Sequence, residues 1–259
     1  MDLGLADKTV LVLGASSGLG LAIAKCLAQE KARVVVSARN GARLDQALMN
    51  IRQINPNATA LPIDLRNAAT MNAAEGSIHE LKPDILVCNS GGPPPGSALA
   101  SDLESWRQQF DVMVLNQIRC IRAALPSMAE KMWGRILVIA SSGIIAPIPN
   151  LVISNSLRSA LVAFAKTLSV EVAGSGVTIN TIVPGRIATP RVAELDQAAA
   201  DREKSDVATV KQRSVQAIPA GRYGDPAEFA SVAAFLVSER ASYVTGQITR
   251  VDGGFIRSI

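Results

Sequence analysis

Gly14-Ala15-Ser16-Ser17-Gly18-Leu19-Gly20 sets three glycines and two serines between a β-branched run, Thr9-Leu13, and an apolar helical run that starts at Leu21. Glycines where a strand turns into a helix let the main chain approach a ligand, and the free N–H groups of the helix start carry partial positive charge. That chemistry suits a pyrophosphate. A glycine cluster alone is equally a tight turn, but its place after the first strand of an alternating chain favours a dinucleotide site. The second candidate is Arg39, which follows the run Arg33-Ser37. At that place an acid would bond an adenosine ribose 2′-hydroxyl and a base would accept a 2′-phosphate. The first carboxylate beyond it is Asp45, and the arginine fork pairs well with phosphate, so NADP(H) is favoured over NAD(H). The alternative is a solvated arginine opening a loop.

The elements that must position these residues alternate along the chain. Strands are expected at Thr9-Leu13, Arg33-Ser37, Ala58-Ile63, Asp84-Cys88, Arg135-Ala140, Val177-Val183 and Gln247-Val251. Helices are expected near 18–30, 41–54, 67–80, 101–132 (broken in its middle), 152–173 and 226–238. The pattern predicts an α/β, single-domain, doubly wound fold: a seven-stranded parallel sheet with helices on both faces. In the fifth helix Leu157, Leu161, Phe164, Leu168 and Val172 recur at steps of three and four, so one stripe should face the sheet. No repeat or linker divides residues 1–259. The mixed-charge, alanine-rich stretch at about 186–217 is expected to be a substrate lid or a plain surface helix.

Composition excludes several function classes. Of 259 residues, 48% are hydrophobic and 19% charged, which describes a core-forming chain and not a disordered one. The near-uncharged stretch 143–156 contains Pro147 and Pro149 and falls short of the ~20 apolar residues that a membrane span needs. Residues 1–7 carry no basic, apolar leader pattern, so a cytoplasmic location is the expectation. A net charge of +4, scattered, with two tryptophans, two tyrosines and five phenylalanines, argues against nucleic acid. Cys26, Cys88 and Cys120 lie in no metal-ligand spacing and read as small core residues; no metal is expected.

The glycine turn, Asp64, Asn89-Ser90-Gly91, Asn116, Ser141, Pro184-Gly185 and Val251-Asp252-Gly253-Gly254 occur in an order and spacing that resembles the short-chain dehydrogenase/reductase family over nearly the whole chain. The segments Gly221-Arg222-Tyr223-Gly224-Asp225-Pro226-Ala227-Glu228 and Val244-Thr245-Gly246-Gln247 are similar to its β-ketoacyl carrier-protein reductase branch. The resemblance implies that Asp64, with Leu65 beside it, contacts the adenine, and that Asn89, Ser90 and Gly91 line the cofactor groove. It implies too that Ile187 and Thr189, after Pro184-Gly185, hold the nicotinamide carboxamide. Asp64 is equally placed to cap the helix beginning near Asn67. Leu13 departs from the pattern, which usually has threonine there.

The resemblance further implies an Asn, a Ser and a Tyr-x-x-x-Lys pair whose i, i+4 spacing makes neighbours on one helix face. Asn116 and Ser141 match. The tyrosine position, thirteen residues beyond Ser141, falls on Ser154, and the lysine position on Arg158. The tyrosines of the chain are Tyr223 and Tyr243, and Lys166 lies roughly 12 Å beyond Arg158 along a helix. A serine hydroxyl is a poor acid at neutral pH, and arginine offers charge and donors without a proton relay. Two functions remain open. One is an NADP(H)-dependent oxidoreductase on a small carbonyl or alcohol substrate, such as a 3-oxoacyl thioester, with catalytic residues Asn116, Ser141, Ser154 and Arg158. The other is a catalytically degenerate dinucleotide-binding, regulatory or structural homologue. His79 reads as a surface residue, Tyr223 as a remote candidate for a substitute acid, and the family implies a homotetramer or dimer.

Overall fold

The computed structural model describes residues 1–39 and 41–258. Seven parallel strands form where the β-branched and aliphatic runs lie: β1 (Thr9–Val12), β2 (Arg33–Val36), β3 (Thr59–Ala60), β4 (Ile85–Cys88), β5 (Gly134–Ile139), β6 (Val177–Pro184) and β7 (Ile248–Val251). Their order across the sheet is β3-β2-β1-β4-β5-β6-β7. The α-helices among the described residues are α1 (Gly18–Gln29), α2 (Ala42–Arg52), α3 (Ala68–Leu81), α4 (Leu103–Phe110), α5 (Asn116–Glu130), α6 (Val152–Val172), α7 (Pro190–Glu203), α8 (Val207–Gln216) and α9 (Pro226–Leu236). β1 pairs with β2 on one side and β4 on the other, so the winding reverses there. The loops leaving β1 and β4 diverge and open a crevice at the carboxyl ends of the strands.

Strand periodicity divides the core into two layers. Val10 and Val12 face Ile23, Leu27, Leu44 and Phe229 of α1, α2 and α9. Leu11 and Leu13 face the opposite layer, with Met71, Ile78, Ile121 and Leu161 of α3, α5 and α6. Each fully buried Leu, Ile or Phe contributes about 1.5–3 kcal/mol, so the sheet is a stiff frame for the loops at its edge. Cys88 and Cys120 lie in the second layer, where burial raises both thiols, Cys120 to about 12. No group of His, Cys, Asp and Glu suited to a metal occurs among the described residues.

Several elements depart from the expected boundaries. β3 is only two residues long, and Pro62 lies just beyond it on the open edge of the sheet, where its missing N–H leaves no ladder bond unmade. Leu61 and Ile63 still donate to Val36 O (3.0 Å) and Ala38 O (2.9 Å), which carries the chain alongside β2 as far as Asp64. The helix expected over 101–132 is not cut in its middle; it widens into one π-helical turn, Asp111–Leu115, and continues as α5. Leu161, Phe164, Leu168 and Val172 pack on the sheet layer as expected, whereas Leu157 joins Val112, Met113, Val114 and Ile153 under the widened turn. The stretch 186–217 is two helices, α7 and α8, separated by a left-handed Lys204.

Candidate active site

Backbone geometry builds the floor of the crevice. Gly14 has φ +60°, and a Cβ there would lie 2.8 Å from Asn89 Nδ2. A Cβ on Gly20 would lie 2.5 Å from Gly14 O. Asn89 donates from Nδ2 to Gly14 O at 3.1 Å and so stitches the β4 loop to the β1 turn. Ser17 precedes α1 in extended conformation, and its side chain does not cap the helix. The first turn of α1 contains no acidic residue, so its N–H groups are open to an anion.

The rest of the wall comes from strand ends. Arg39 follows β2 and Asp64 follows β3, held side by side by the Ile63–Ala38 bond. Asp64 accepts the Arg66 N–H at 3.0 Å, while Asn67, not Asp64, caps α3 through Ala69 N–H. The Ser37 hydroxyl is buried nearby without a partner. Beyond β5, Ser141 accepts the Gly143 N–H at 3.2 Å. From α6, Ser154 and Arg158 line the same cleft. Arg158 donates from Nη1 to Ile139 O (2.9 Å) and from Nη2 to Ser90 O (3.4 Å). Burial, with the like charge of Arg191 second, pushes its guanidinium down to about 10, so it remains a cation at neutral pH.

These residues enclose a cleft of about 1460 Å³. That exceeds the ~300–1,000 Å³ of an ordinary small-molecule site and suits a dinucleotide with a second molecule beside it. Gly14, Ser16, Ser17, Gly18, Leu19, Arg39, Asp64, Leu65, Asn89, Ser90 and Gly91 line it on one side. Pro184, Gly185, Ile187 and Thr189 line the other, where Thr189 also caps α7. Gly20 and Asn116 stand behind the wall. Asn116, directly after the widened turn, is buried and donates from Nδ2 to Leu65 O at 2.8 Å. His79 is an exposed residue of the last turn of α3. Tyr223 is outside the lining; its hydroxyl donates to Asp196 at 2.9 Å, and burial pushes that phenol further up. The buried Asp196 also accepts from Arg186 at 3.1 Å.

Sequence reasoning missed Arg191, which lines the cleft from the first turn of α7 and donates from Nη2 to Pro93 O at 2.8 Å. Its one signal in the sequence is a cation two residues beyond Thr189. Val192 and Leu195 of α7 and Phe255 also line the cleft and carry no motif. Among the described residues, seven arginines but only two carboxylates, Asp64 and Glu194, face this space.

Comparison with known proteins accords with this architecture. Residues 14–256 match a family model described as enoyl-(acyl carrier protein) reductase. An uncharacterized oxidoreductase, YvrD, of Bacillus subtilis is 33% identical over all of both chains. A 3-oxoacyl-[acyl-carrier-protein] reductase, FabG, of Rickettsia conorii is 34% identical over 97% of this chain and 98% of its own. The crystal structure of L-sorbose reductase from Gluconobacter frateurii, complexed with NADPH and L-sorbose, superposes with a TM-score of 0.92 at 30% identity over all of both chains. With the all-parallel sheet, the glycine turn at its switch point and these matches together, the chain belongs to the short-chain dehydrogenase/reductase family.

Proposed function

We propose that the protein is an NADP(H)-dependent oxidoreductase of a small carbonyl or alcohol substrate, in which Ser154 and Arg158 stand where the family pattern has tyrosine and lysine. The observation that carries this reading is the convergence of Ser141, Ser154 and Arg158 on one cleft with an open α1 N-terminus and Arg39. The glycine turn and the α1 N–H groups would hold the pyrophosphate, Arg39 a 2′-phosphate, and Asp64 with Leu65 the adenine side. When bound, the nicotinamide supplies the hydride. NADPH in the L-sorbose reductase complex supports the choice of dinucleotide. The reductase names among the relatives support a carbonyl substrate, and the FabG name keeps a 3-oxoacyl thioester among the choices.

Ser141 Oγ already accepts the Gly143 N–H, so its own proton is free for a substrate oxygen. Arg158 adds fixed positive charge where an alkoxide would develop, and this form of stabilisation needs no proton transfer. Ser154 can hydrogen-bond that oxygen but is too weak an acid to protonate it at neutral pH, so the proton must come from water in the open cleft. Asn116 acts as a positioning residue: its bond to Leu65 O fixes the loop behind Asp64. The exposed Leu103, Phe110 and Leu115 along the rod from α4 to α5 support self-association into a dimer or tetramer.

The test is NADPH oxidation against a panel of ketones and β-ketoacyl thioesters by the parent protein and by the double variant Ser154→Tyr, Arg158→Lys. Turnover by the parent that equals or exceeds the variant's supports the rebuilt site. An inert parent with an active variant points to the degenerate, cofactor-binding reading, and absence of NADPH binding removes both.

A further inference from the structure

The positive charge of the cleft exceeds what a dinucleotide would use. Arg39, Arg43 and Arg66 follow or flank β2 and β3, at the end assigned above to the adenosine. At the other end, Arg186 is neutralised by the buried Asp196 (3.1 Å), and Arg202 pairs with Glu203 (3.1 Å), which it shares with Arg213. Arg158 and Arg191 are different. Both rest on the four residues 90–93 of the loop after β4, Arg158 through Ser90 O (3.4 Å) and Arg191 through Pro93 O (2.8 Å). The Arg191 guanidinium lies flat enough over Gly92 that a Cβ there would come within 3.2 Å of Nη2. Arg158 has no carboxylate partner among the described residues, and the acid paired with Arg191 is Glu194 at 3.4 Å, a largely exposed side chain at the lining of the cleft.

Two guanidinium groups on one short loop repel each other, and a part-buried cation without a counter-ion costs the folded chain free energy. The depressed affinity of Arg158 for its proton, caused by burial and by Arg191, reflects that cost. Two of the five N–H donors of Arg158 are used by main-chain oxygens, which leaves donors for a planar anion beside Ser141 and Ser154. A carboxylate or phosphate lodged between the two groups would relieve the repulsion and gain charge-assisted hydrogen bonds.

We infer that Arg158 and Arg191 form a clamp for an anionic group, carboxylate or phosphate, carried by the substrate. This assigns the substrate class of the proposed hydride-transfer site and rests on that reading. A neutral ketone of the same length lacks the group that both arginines need.

Calorimetric titrations test the clamp. The protein, with and without saturating NADP+, is titrated with 4-oxopentanoate against its methyl ester and with dihydroxyacetone phosphate against dihydroxyacetone. One anion should bind at least about tenfold more tightly than its neutral partner, since bidentate charged pairs exceed neutral bonds by that margin. The winning pair tells carboxylate from phosphate. In Arg191→Gln the preference should fall below about threefold while NADP+ affinity stays within about twofold, because only the clamp has lost a charge. Equal binding of acid and neutral partner in both pairs overturns the inference, as does a preference that survives Arg191→Gln. If NADP+ does not bind but the anion preference is present, the cofactor reading fails and the clamp stands.

Discussion

Replacing Gly20 with alanine puts a methyl group into the seam that closes the crevice. The added Cβ would sit 2.5 Å from Gly14 O and 2.9 Å from Asn89 Nδ2, the acceptor and donor of the bond that ties β1 to β4. Neither neighbour is the free end of a flexible chain, so the turn must shift by about half an ångström or more, an overpacking that costs about 1–3 kcal/mol. Loss of the Asn89 bond adds about 1 kcal/mol. Alanine in a helix returns about 1 kcal/mol relative to glycine. The net cost is about 1–3 kcal/mol, a fall of roughly 2–12 °C in Tm for a domain of this size. Gly76→Ala is the matched control: it lies within α3, a Cβ there meets nothing within 4 Å, and it should stabilise by up to about 1 kcal/mol. Urea denaturation and NADPH titration of both variants give the readout. If Gly20→Ala is as stable as Gly76→Ala and binds NADPH like the parent, the stitched seam is not what shapes the site.

Three further outcomes are expected. Arg39→Ala should weaken NADPH roughly 10–100-fold relative to NADH, the worth of a charge-assisted phosphate contact, read by fluorescence titration; an unchanged ratio removes Arg39 from the site. Tyr223→Phe leaves Asp196 with Arg186 alone and should cost about 1–3 kcal/mol in thermal denaturation without changing NADPH affinity; impaired turnover with unchanged stability would return Tyr223 to the chemistry. Glu228 accepts from Arg222 and from the Asp225 N–H, and these hold its carboxyl down to about 2. Its folded pKa lies below the ordinary value, so the stabilisation is complete above the ordinary carboxylate range and fades as pH falls through about 2. Arg222→Ala should move the Glu228 titration, followed by NMR, up toward pH 4; a titration that stays put would show that Arg222 is not its cause.

Much of this architecture is legible in the chain because strand runs such as Ile85–Cys88 are aliphatic throughout and must be covered on both faces. The glycine turn is legible for a similar reason: few other residues fit where Gly14 and Gly20 touch Asn89 and the Gly14 carbonyl. What periodicity does not reveal is long-range aim. Asn116 donates to Leu65 across fifty-one positions, and Arg191 reaches the carbonyl of Pro93 across ninety-eight. Pro62 is tolerated because its nitrogen faces the open edge of the sheet, and the bonds of Leu61 and Ile63 that deliver Asp64 depend on β2. Leu157 fits the apolar stripe of α6 but packs elsewhere, because the widened turn at 111–115 supplies a second apolar surface above it.

That widened turn uncouples two parts of one rod. Residues before and after a π-helical turn no longer share the rotational phase of a uniform α-helix, in which each residue advances about 100°. The orientation of α5, and hence of Asn116, is set by Cys120, Ile121, Ala124 and Met128 seated against the sheet, while α4 has no buried residue of its own. The outer segment can thereby settle against a neighbour without turning α5 with it, and the amide gripping the Leu65 carbonyl keeps its bearing.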